Sequence, residues 1–451
     1  MHEPLYTADE MRAAESRYPG YPGTAGELME RAGRAVAEEI LRSYPDARRI
    51  AAVCGGGANG GDGRIAARVL REAGRDAVEG DDLAGADLVV DALFGTGFRG
   101  EPRPDAAATI ERINASGATV VSVDVPSGVD ASTGEVAGAA VEADATVTFH
   151  GRKVGLVVAP GRFHAGRVVV ADIGLAPATT AAVLATAALL ERIPRRGARD
   201  TKFTAGSLLI VGGAPGTTSA AVLSARAALR ADAGYVTLAV PAASLAVAEV
   251  LALEPVKRGF EWRDALDALQ GDVGRVGALA LGPGLGRSED ARSLVRGLLE
   301  RSQLPAVVDA DGLFRLEPVE REGPLVLTPH AGEAARLLDE DAGAVSARRL
   351  DAAARLAERF RAVVLLKGVD TIVRAPDGRT IVCDTGPPSL ATAGTGDVLT
   401  GILGAFLAKG VDPVDAAAAA AVAHGLAGRA VPHRAGLVAS DVVEALPSVL
   451  A

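Results

Sequence analysis

The sequence predicts an α/β protein of two domains, each a mostly parallel sheet flanked by helices. Three observations predict it. The chain of 451 residues is too long for one ordinary hydrophobic core. In both halves, short apolar runs bounded by Gly, Pro or Asp alternate with segments of helical period. Near the middle, an Ala/Thr-rich stretch from Pro177 and the basic segment PRRGARDTKF interrupt that alternation. The core is predicted to be aliphatic, because 49% of residues are hydrophobic but only 3% aromatic.

In the first half, helical periodicity over Glu27–Leu41 leads into a strand at Ile50–Val53, a Gly-rich loop and a second helix. Further buried strands are predicted at Asp87–Leu93, Thr119–Val123, Ala145–Phe149 and Arg167–Ala171. These make a first domain over 1–178, followed by a linker and entry segment over 179–200 and a second domain over 201–451. The second series of strands runs through Leu208–Val211, Tyr235–Val240, Ala278–Leu281, Ala306–Asp309, Leu325–Leu327 and Val363–Leu366. A hairpin, TIVRAPDGRTIVC, turns on Asp377 and Gly378, and Ala-rich helices close the chain.

A formal charge of −10 argues against attraction to nucleic acid or anionic lipid. Cys54 and Cys383 are far apart and belong to no CxxC or Cys/His cluster, so neither a disulfide framework nor a zinc site is expected. Met1–Tyr18 has no apolar signal core, and the most apolar run, Thr179–Leu190, is shorter than the ~18 residues a span needs. A cytoplasmic protein without membrane partners is expected.

GGGANGGDG, Gly55–Gly63, follows a strand and contains GxGxxG at Gly55, Gly57 and Gly60. A dinucleotide-binding Rossmann reading would put a pyrophosphate at the helix N-terminus, where Asp62 would repel it. Two readings of Asp62 stay open: a member of a polar pocket, or an N-cap of a helix starting at Gly63. Three more segments sit at strand ends, where ligand crevices form in parallel sheets. They are VVDALFGTG with Asp91, VVSVDVPSGVD with Asp124, Ser127 and Asp130, and FHGRKVG with Lys153. Each alone is also ordinary turn chemistry.

Together, in this order, the four segments resemble the NAD(P)H-hydrate epimerases over Leu5–Leu175. The resemblance implies a Rossmann-like three-layer domain. Ala58, Asn59, Gly60, Gly61 and Asp62, then Gly95, Thr96, Gly97, Phe98, Arg99, Gly100 and Glu101, and Asp124 would surround the hydrated nucleotide. It also implies a potassium ion on oxygens of Asn59, Asp91 and Ser127, with Asp124 as the acid/base. The sequence departs from the family in having Ala58 where a first Asn is usual.

The second half holds the strongest motif, LATAGTGDVLTGILGAFLAKG, Leu390–Gly410. Gly394 and Gly396 allow a tight turn, and the free amides at the following helix start would face an anion. Asp397 could take a proton from a substrate hydroxyl there, or serve as an ordinary N-cap. LTPHAGE with His330 and Glu333, and VVLLKGVDT with Lys367 and Thr371, lie just after buried strands. GPGLG (282–286), IVGGAPG (210–216) and VVDADGL with Asp309 and Asp311 add further loops at strand ends.

This ordered set resembles the NAD(P)H-hydrate dehydratases of the ribokinase-like superfamily over Leu189–Val431, implying a ribokinase-like three-layer domain. Lys367, Gly368, Val369, Asp370, Thr371 and Gly396 would contact the adenine nucleotide. Gly284, His330 and Asp397 would contact the hydrate, with Asp397 catalytic and magnesium on the phosphates. The resemblance further implies ADP as donor. The lead GPPSLATAGTGD, with Pro387, Pro388, Ser389 and Leu390, departs from the expected NPGMATAGSGD, and HAGE, with Ala331, from HPGE.

Phosphorylating the C6 hydroxyl turns a poor leaving group into a good one, so a kinase-like site can serve a dehydratase. The expected partners are therefore the small-molecule nucleotides, NAD(P)H hydrate and ADP, and the expected assembly is a homo-oligomer. The rivals are a small-alcohol kinase beside a nucleotide-binding module, an inactive N-terminal binding module, and a Rossmann dehydrogenase.

Overall fold

After a short first strand, β1 (His2–Leu5), the first half supplies six strands: β2 (Arg49–Cys54), β3 (Asp76–Glu79), β4 (Leu88–Ala92), β5 (Thr119–Val123), β6 (Ala145–Phe149) and β7 (Arg167–Ala171). In the computed structural model, which describes residues 2–433 and 435–450, they form one parallel sheet in the order β3-β2-β4-β5-β6-β7. Alternation along each strand sorts side chains between two covering layers. Ile50, Ala52, Leu88 and Val90 pack with Leu28, Val36 and Ile40 of α2 (Ala25–Ser43) and Ala66 and Leu70 of α3 (Ala58–Glu72). Val53, Val89 and Val120 face the other way, onto Ile110 and Ile113 of the helix Pro104–Asn114.

The segment 179–200, read from sequence as linker, is in part structured. It contains β8 (Ala182–Ala185) and a 3-10 helix, Ala187–Arg192, with Leu184, Leu189 and Leu190 buried. Its apolar run is used for packing. The chain separates into two compact units, Pro4–Val183 with Ser346–Arg348, and Leu184–Val345 and Arg349–Ala451 with Met1–Glu3.

The second sheet adds β9 (Ser207–Val211), β10 (Tyr235–Pro241), β11 (Val256–Phe260), β12 (Ala278–Leu281), β13 (Ala306–Val308), β14 (Leu325–Leu327), β15 (Val363–Leu366), β16 (Thr371–Arg374) and β17 (Thr380–Cys383). Its order is β1-β8-β17-β16-β15-β14-β13-β12-β9-β10-β11. The seven strands from β15 to β11 are parallel, and the hairpin β16–β17 is antiparallel, turning at Gly378 with φ +96°.

Both sheets have one point where the strand order reverses direction. In the first it lies between β2 and β4; in the second, between β9 and β12. The connections leave in opposite directions there, opening a crevice beyond the carboxyl ends of the strands.

Candidate active sites

In the first unit, the loops leaving β2 and β4 touch so closely that only glycine fits. A Cβ on Gly55 would lie 2.1 Å from the Leu93 carbonyl oxygen, and one on Gly60 would lie 1.9 Å from that of Gly55. Helix α3 begins at Ala58 with Gly57 as N-cap, so Asp62 is not the N-cap of a helix from Gly63. It sits inside the helix, nine-tenths buried, without a hydrogen-bond partner for its carboxyl among the described residues. Burial first, then repulsion from Asp124 and Glu15, raises its pKa to about 8; Lys153 opposes the shift. Burial and Asp124 also push the Glu15 carboxyl up.

Asp124 follows β5 with φ +66°, a left-handed backbone that an L-residue rarely adopts. Its Oδ1 accepts from Thr148 Oγ1 at 3.0 Å and lies 2.5 Å from the Lys153 Nζ. That ammonium is fully buried and also donates to Thr148 Oγ1 and to the Phe149 carbonyl, both at 2.9 Å. Asp91 is buried too, and burial pushes its carboxyl up against the hydrogen bonds that hold it. It accepts from Ser122 Oγ at 2.8 Å, Ser127 Oγ at 2.6 Å and Ser127 N–H at 2.9 Å. Phe94 joins Asn59 to this group: its carbonyl accepts from Asn59 Nδ2 at 2.7 Å and its N–H donates to Ser127 Oγ at 2.8 Å. The structure thus brings Asn59, Asp91 and Ser127 together.

The other expected contacts lie on the exposed side of the same crevice. Gly95 abuts Asn59, the Phe98 N–H closes a turn onto the Gly95 carbonyl, and the Phe98 ring stacks on Phe94 with centroids 4.7 Å apart. Ala58, Gly97, Arg99, Gly100 and Glu101 are exposed, Thr96 and Gly61 half-buried. Arg99 lies 3.8 Å from Asp9, a loose pairing.

In the second unit, the loops after β9 and β12 meet at the switch point. The Gly213 N–H donates to the Pro283 carbonyl at 2.9 Å and the Ala214 N–H to that of Gly284 at 2.6 Å. Asp311 fastens the second loop, accepting from the Gly286 N–H at 3.0 Å and pairing with Arg287 at 2.9 Å.

The helix α13 (Thr395–Ala408) starts after Gly394, whose φ of +89° turns the chain into it. The N-cap is Gly394, so Asp397 is no N-cap, and its side chain makes no capping bond. The amides of Gly396 and Asp397 have no acceptor among the described residues, as expected of a first helical turn. Burial, followed by the Asp309 carboxylate, raises the Asp397 pKa to about 7, with Lys367 pulling it back.

Lys367 is the hub. Its Nζ lies 2.7 Å from Asp309 Oδ1 and 3.7 Å from Glu333 Oε2, while Asp309 Oδ2 accepts from Thr400 Oγ1 at 2.6 Å. Burial would lower the ammonium's pKa, but Asp309 and Glu333 outweigh it and raise it. His330 caps the helix Ala331–Leu338 in a reciprocal box with Glu333, and burial lowers its pKa.

His330, Lys367, Gly368, Val369, Thr371 and Gly396 line a cavity of about 550 Å³, large enough for a nucleotide. Asp370 is not on its wall. Its carboxylate, 1% exposed, pairs with Arg349 at 3.1 Å, beneath the loop; a Cβ on Gly368 would meet that guanidinium at 2.3 Å. Its side chain is thus taken up in an ion pair rather than turned to the cavity. Gly284 and Asp397 also lie outside this cavity's wall. The sequence reading missed Glu15 and His424 altogether, and named Lys153, Asp309 and Glu333 without roles; only their long-range partners reveal them.

Among the described residues no group of three or more His, Cys, Asp or Glu side chains could hold a metal, and no helix is long and apolar enough to cross a membrane.

Comparisons with known proteins follow this division. Residues 208–448 match the family described as NAD(P)H-hydrate dehydratase, and residues 25–80 and 75–155 match the YjeF-related protein N-terminus. The chain is similar to the bifunctional NAD(P)H-hydrate repair enzyme Nnr of Moorella thermoacetica, at 40% identity over 99% of this chain and 96% of that protein. It is 34% identical to that of Escherichia coli, over 99% and 94%. Among solved structures, the ADP/ATP-dependent NAD(P)H-hydrate dehydratase of Bacillus subtilis, co-crystallised with ATP and Mg2+, is similar at 30% identity and a TM-score of 0.55, covering 58% of this chain and 94% of that one. A ribokinase-like superfamily protein of Enterococcus faecalis, at 22% identity and a TM-score of 0.54, covers 61% and 97% and shares the fold.

Proposed function

Because the chain belongs to the family of bifunctional NAD(P)H-hydrate repair enzymes, we propose that its first unit interconverts the R and S hydrates of NADH and NADPH. The second unit then returns the S hydrate to the reduced nucleotide, converting ADP to AMP and phosphate. The observation that carries this reading is the pair of unlike switch-point crevices in one chain. One holds two carboxyls and a buried ammonium; the other sets a carboxyl titrating near neutrality beside free helix amides.

In the first unit the two carboxyls are suited to different tasks. Asp124, anchored on the buried Lys153, accepts a proton from the attacking water. Asp62, with a pKa of about 8, is protonated at neutral pH and can donate to the departing C6 hydroxyl. The ring nitrogen's lone pair assists that departure. A potassium ion would be held by oxygens of Asn59, Asp91 and Ser127: Asp91 is buried without a cationic side chain among the described residues and accepts from Ser127, while the Asn59 amide nitrogen donates to the neighbouring Phe94 carbonyl. The ion would balance the Asp91 charge and brace both loops.

In the second unit, Asp397 takes the proton of the C6 hydroxyl as the phosphoryl group arrives. The Gly396 and Asp397 amides hold the anion, and Lys367, steadied by Asp309 and Glu333, supplies positive charge at the same helix start. Loss of phosphate together with a proton from the ring carbon next to C6, which passes to solvent, then restores the reduced ring. Magnesium would enter on the nucleotide phosphates, since no cluster of protein ligands is ready for it among the described residues. Two free thiols suit a reducing cytoplasm.

The test is to incubate the protein with mixed R and S hydrates, potassium, magnesium and either ADP or ATP, following reduced-nicotinamide absorbance and free phosphate. Recovery of both hydrates with release of phosphate is expected. A stable phosphorylated product without return of absorbance would instead identify a small-alcohol kinase.

A further inference from the structure

Strands β5 and β6 are neighbours in the first sheet, and both end in the same strained turn. Asp124 and His150 each have φ +66°. In each turn the next N–H returns to the carbonyl of the preceding residue, Val125 to Val123 at 2.8 Å and Gly151 to Phe149 at 2.7 Å. Such turns persist only where their surroundings over-determine them. The first lays the Asp124 carboxyl against the end of β6, and the second redirects the chain so that Lys153 reaches back to it. The hydrogen bonds to that carboxyl all fall on one oxygen. Asp124 Oδ1 accepts from Thr148 Oγ1 at 3.0 Å and from the Phe149 N–H at 3.4 Å, with the Lys153 ammonium 2.5 Å away. Oδ2 accepts no hydrogen bond from the described residues, yet it is not sealed in. The Asp124 side chain keeps 12% of its surface exposed, whereas Lys153 and Thr148 keep none.

The Thr148 hydroxyl has a single proton, and the network fixes where it points. An ammonium only donates, so Lys153 Nζ donates to Thr148 Oγ1 at 2.9 Å and the hydroxyl's own proton goes to Asp124 Oδ1. A proton placed on Oδ1 would face that hydroxyl proton, an amide and an ammonium at once. We propose that Asp124 acts through Oδ2 alone and that Thr148 is the positioning residue that makes it so, by holding Oδ1 and stopping the carboxyl from turning. This rests on the reading of Asp124 as the base of hydrate exchange. The hydroxyl leaving C6 takes a proton from Asp62, and the water that bonds to C6 gives one to Asp124 Oδ2. Both carboxyls return to their starting states by exchange with solvent, so no net proton or electron is gained. A base oxygen held at one place spares the reaction a search over carboxyl orientations, and a displacement on the order of 1 Å is enough to cost about 100-fold in rate.

The test follows conversion of the pure R hydrate of NADH into S by chromatography, with the full chain, potassium and no ADP, so that the second unit stays idle. Thr148→Ser keeps the hydroxyl, while Thr148→Val and Thr148→Ala remove it with and without filling its space. Both hydroxyl-free variants should lose about 10- to 100-fold in kcat with KM within about twofold of wild type. Thr148→Ser should stay within about threefold of wild type in kcat. A KM that holds while kcat falls is a result that a misfolded crevice cannot produce. A Val or Ala variant with the wild-type kcat, a loss confined to KM, or a Ser variant as slow as Ala would overturn the assignment. A wild type that converts R hydrate no faster than buffer alone would instead remove hydrate exchange as the activity of the first unit.

Discussion

Replacing Asp397 by Asn removes the dehydratase base with little change in volume. The carboxyl is raised to about 7, so its ionised fraction climbs from roughly one part in eleven at pH 6 to roughly ten in eleven at pH 8. A base must be deprotonated to accept the C6 hydroxyl proton. The wild-type kcat/KM for the S hydrate should therefore rise about tenfold across that range and inflect near pH 7. Asn accepts no proton: the rate should fall by about 10²- to 10⁴-fold and lose the inflection. Lys367→Met separates charge from chemistry, since Lys367 lowers the Asp397 pKa; its loss should move any residual inflection upward. The assay is reduced-nicotinamide absorbance with S hydrate and saturating ADP between pH 5.5 and 9 at constant ionic strength. An Asp397→Asn enzyme within threefold of wild type, or one retaining the inflection, would refute the assignment.

Arg349→Met removes one member of the buried Arg349–Asp370 ion pair, which should cost about 3–5 kcal/mol in denaturant unfolding and weaken ADP binding as the 367–371 loop loosens. Gly60→Ala puts a methyl 1.9 Å from the Gly55 carbonyl oxygen; epimer exchange should be lost while dehydration of pure S hydrate, performed in the other unit, persists. Asp62→Asn tests the buried acid through stability. Its folded pKa of about 8 lies above the ordinary value of 3.8, so the folded state holds the proton longer. The resulting penalty is absent below about pH 4, grows as pH rises and is complete above about 8. The variant should thus gain on the order of a few kcal/mol over wild type at pH 9 and nothing at pH 4, read from paired denaturant curves.

The buried parallel strands were legible because each is a short, continuous apolar run, as Leu208–Val211 and Leu88–Ala92 show. The strands that escaped notice are short or polar pieces such as Asp76–Glu79 and Val256–Phe260, where exposed Glu79, Arg258 and Gly259 erase the apolar signal. The site loops were legible through their glycines, since close backbone approach leaves a trace in sequence. What was not legible is pairing across long separations. Lys153 finds Asp124 across 29 positions and Arg349 finds Asp370 across 21. Nothing local distinguishes Asp370, under its loop, from Thr371 on the cavity wall. The two N-cap readings failed for one reason: both helices begin before the acid, at Ala58 and Thr395.

The left-handed backbone at Asp124 sets folding and chemistry against each other at one position. Glycine would adopt that conformation without the penalty of about 1–2 kcal/mol that an L-residue meets, so a lineage no longer exposed to damaged nucleotides could drift to glycine there. Such a descendant would be unable to epimerise, and its fully buried Lys153 ammonium would lose the carboxylate it lies against. In sequence collections, the identity of this single residue would then distinguish working copies from relics.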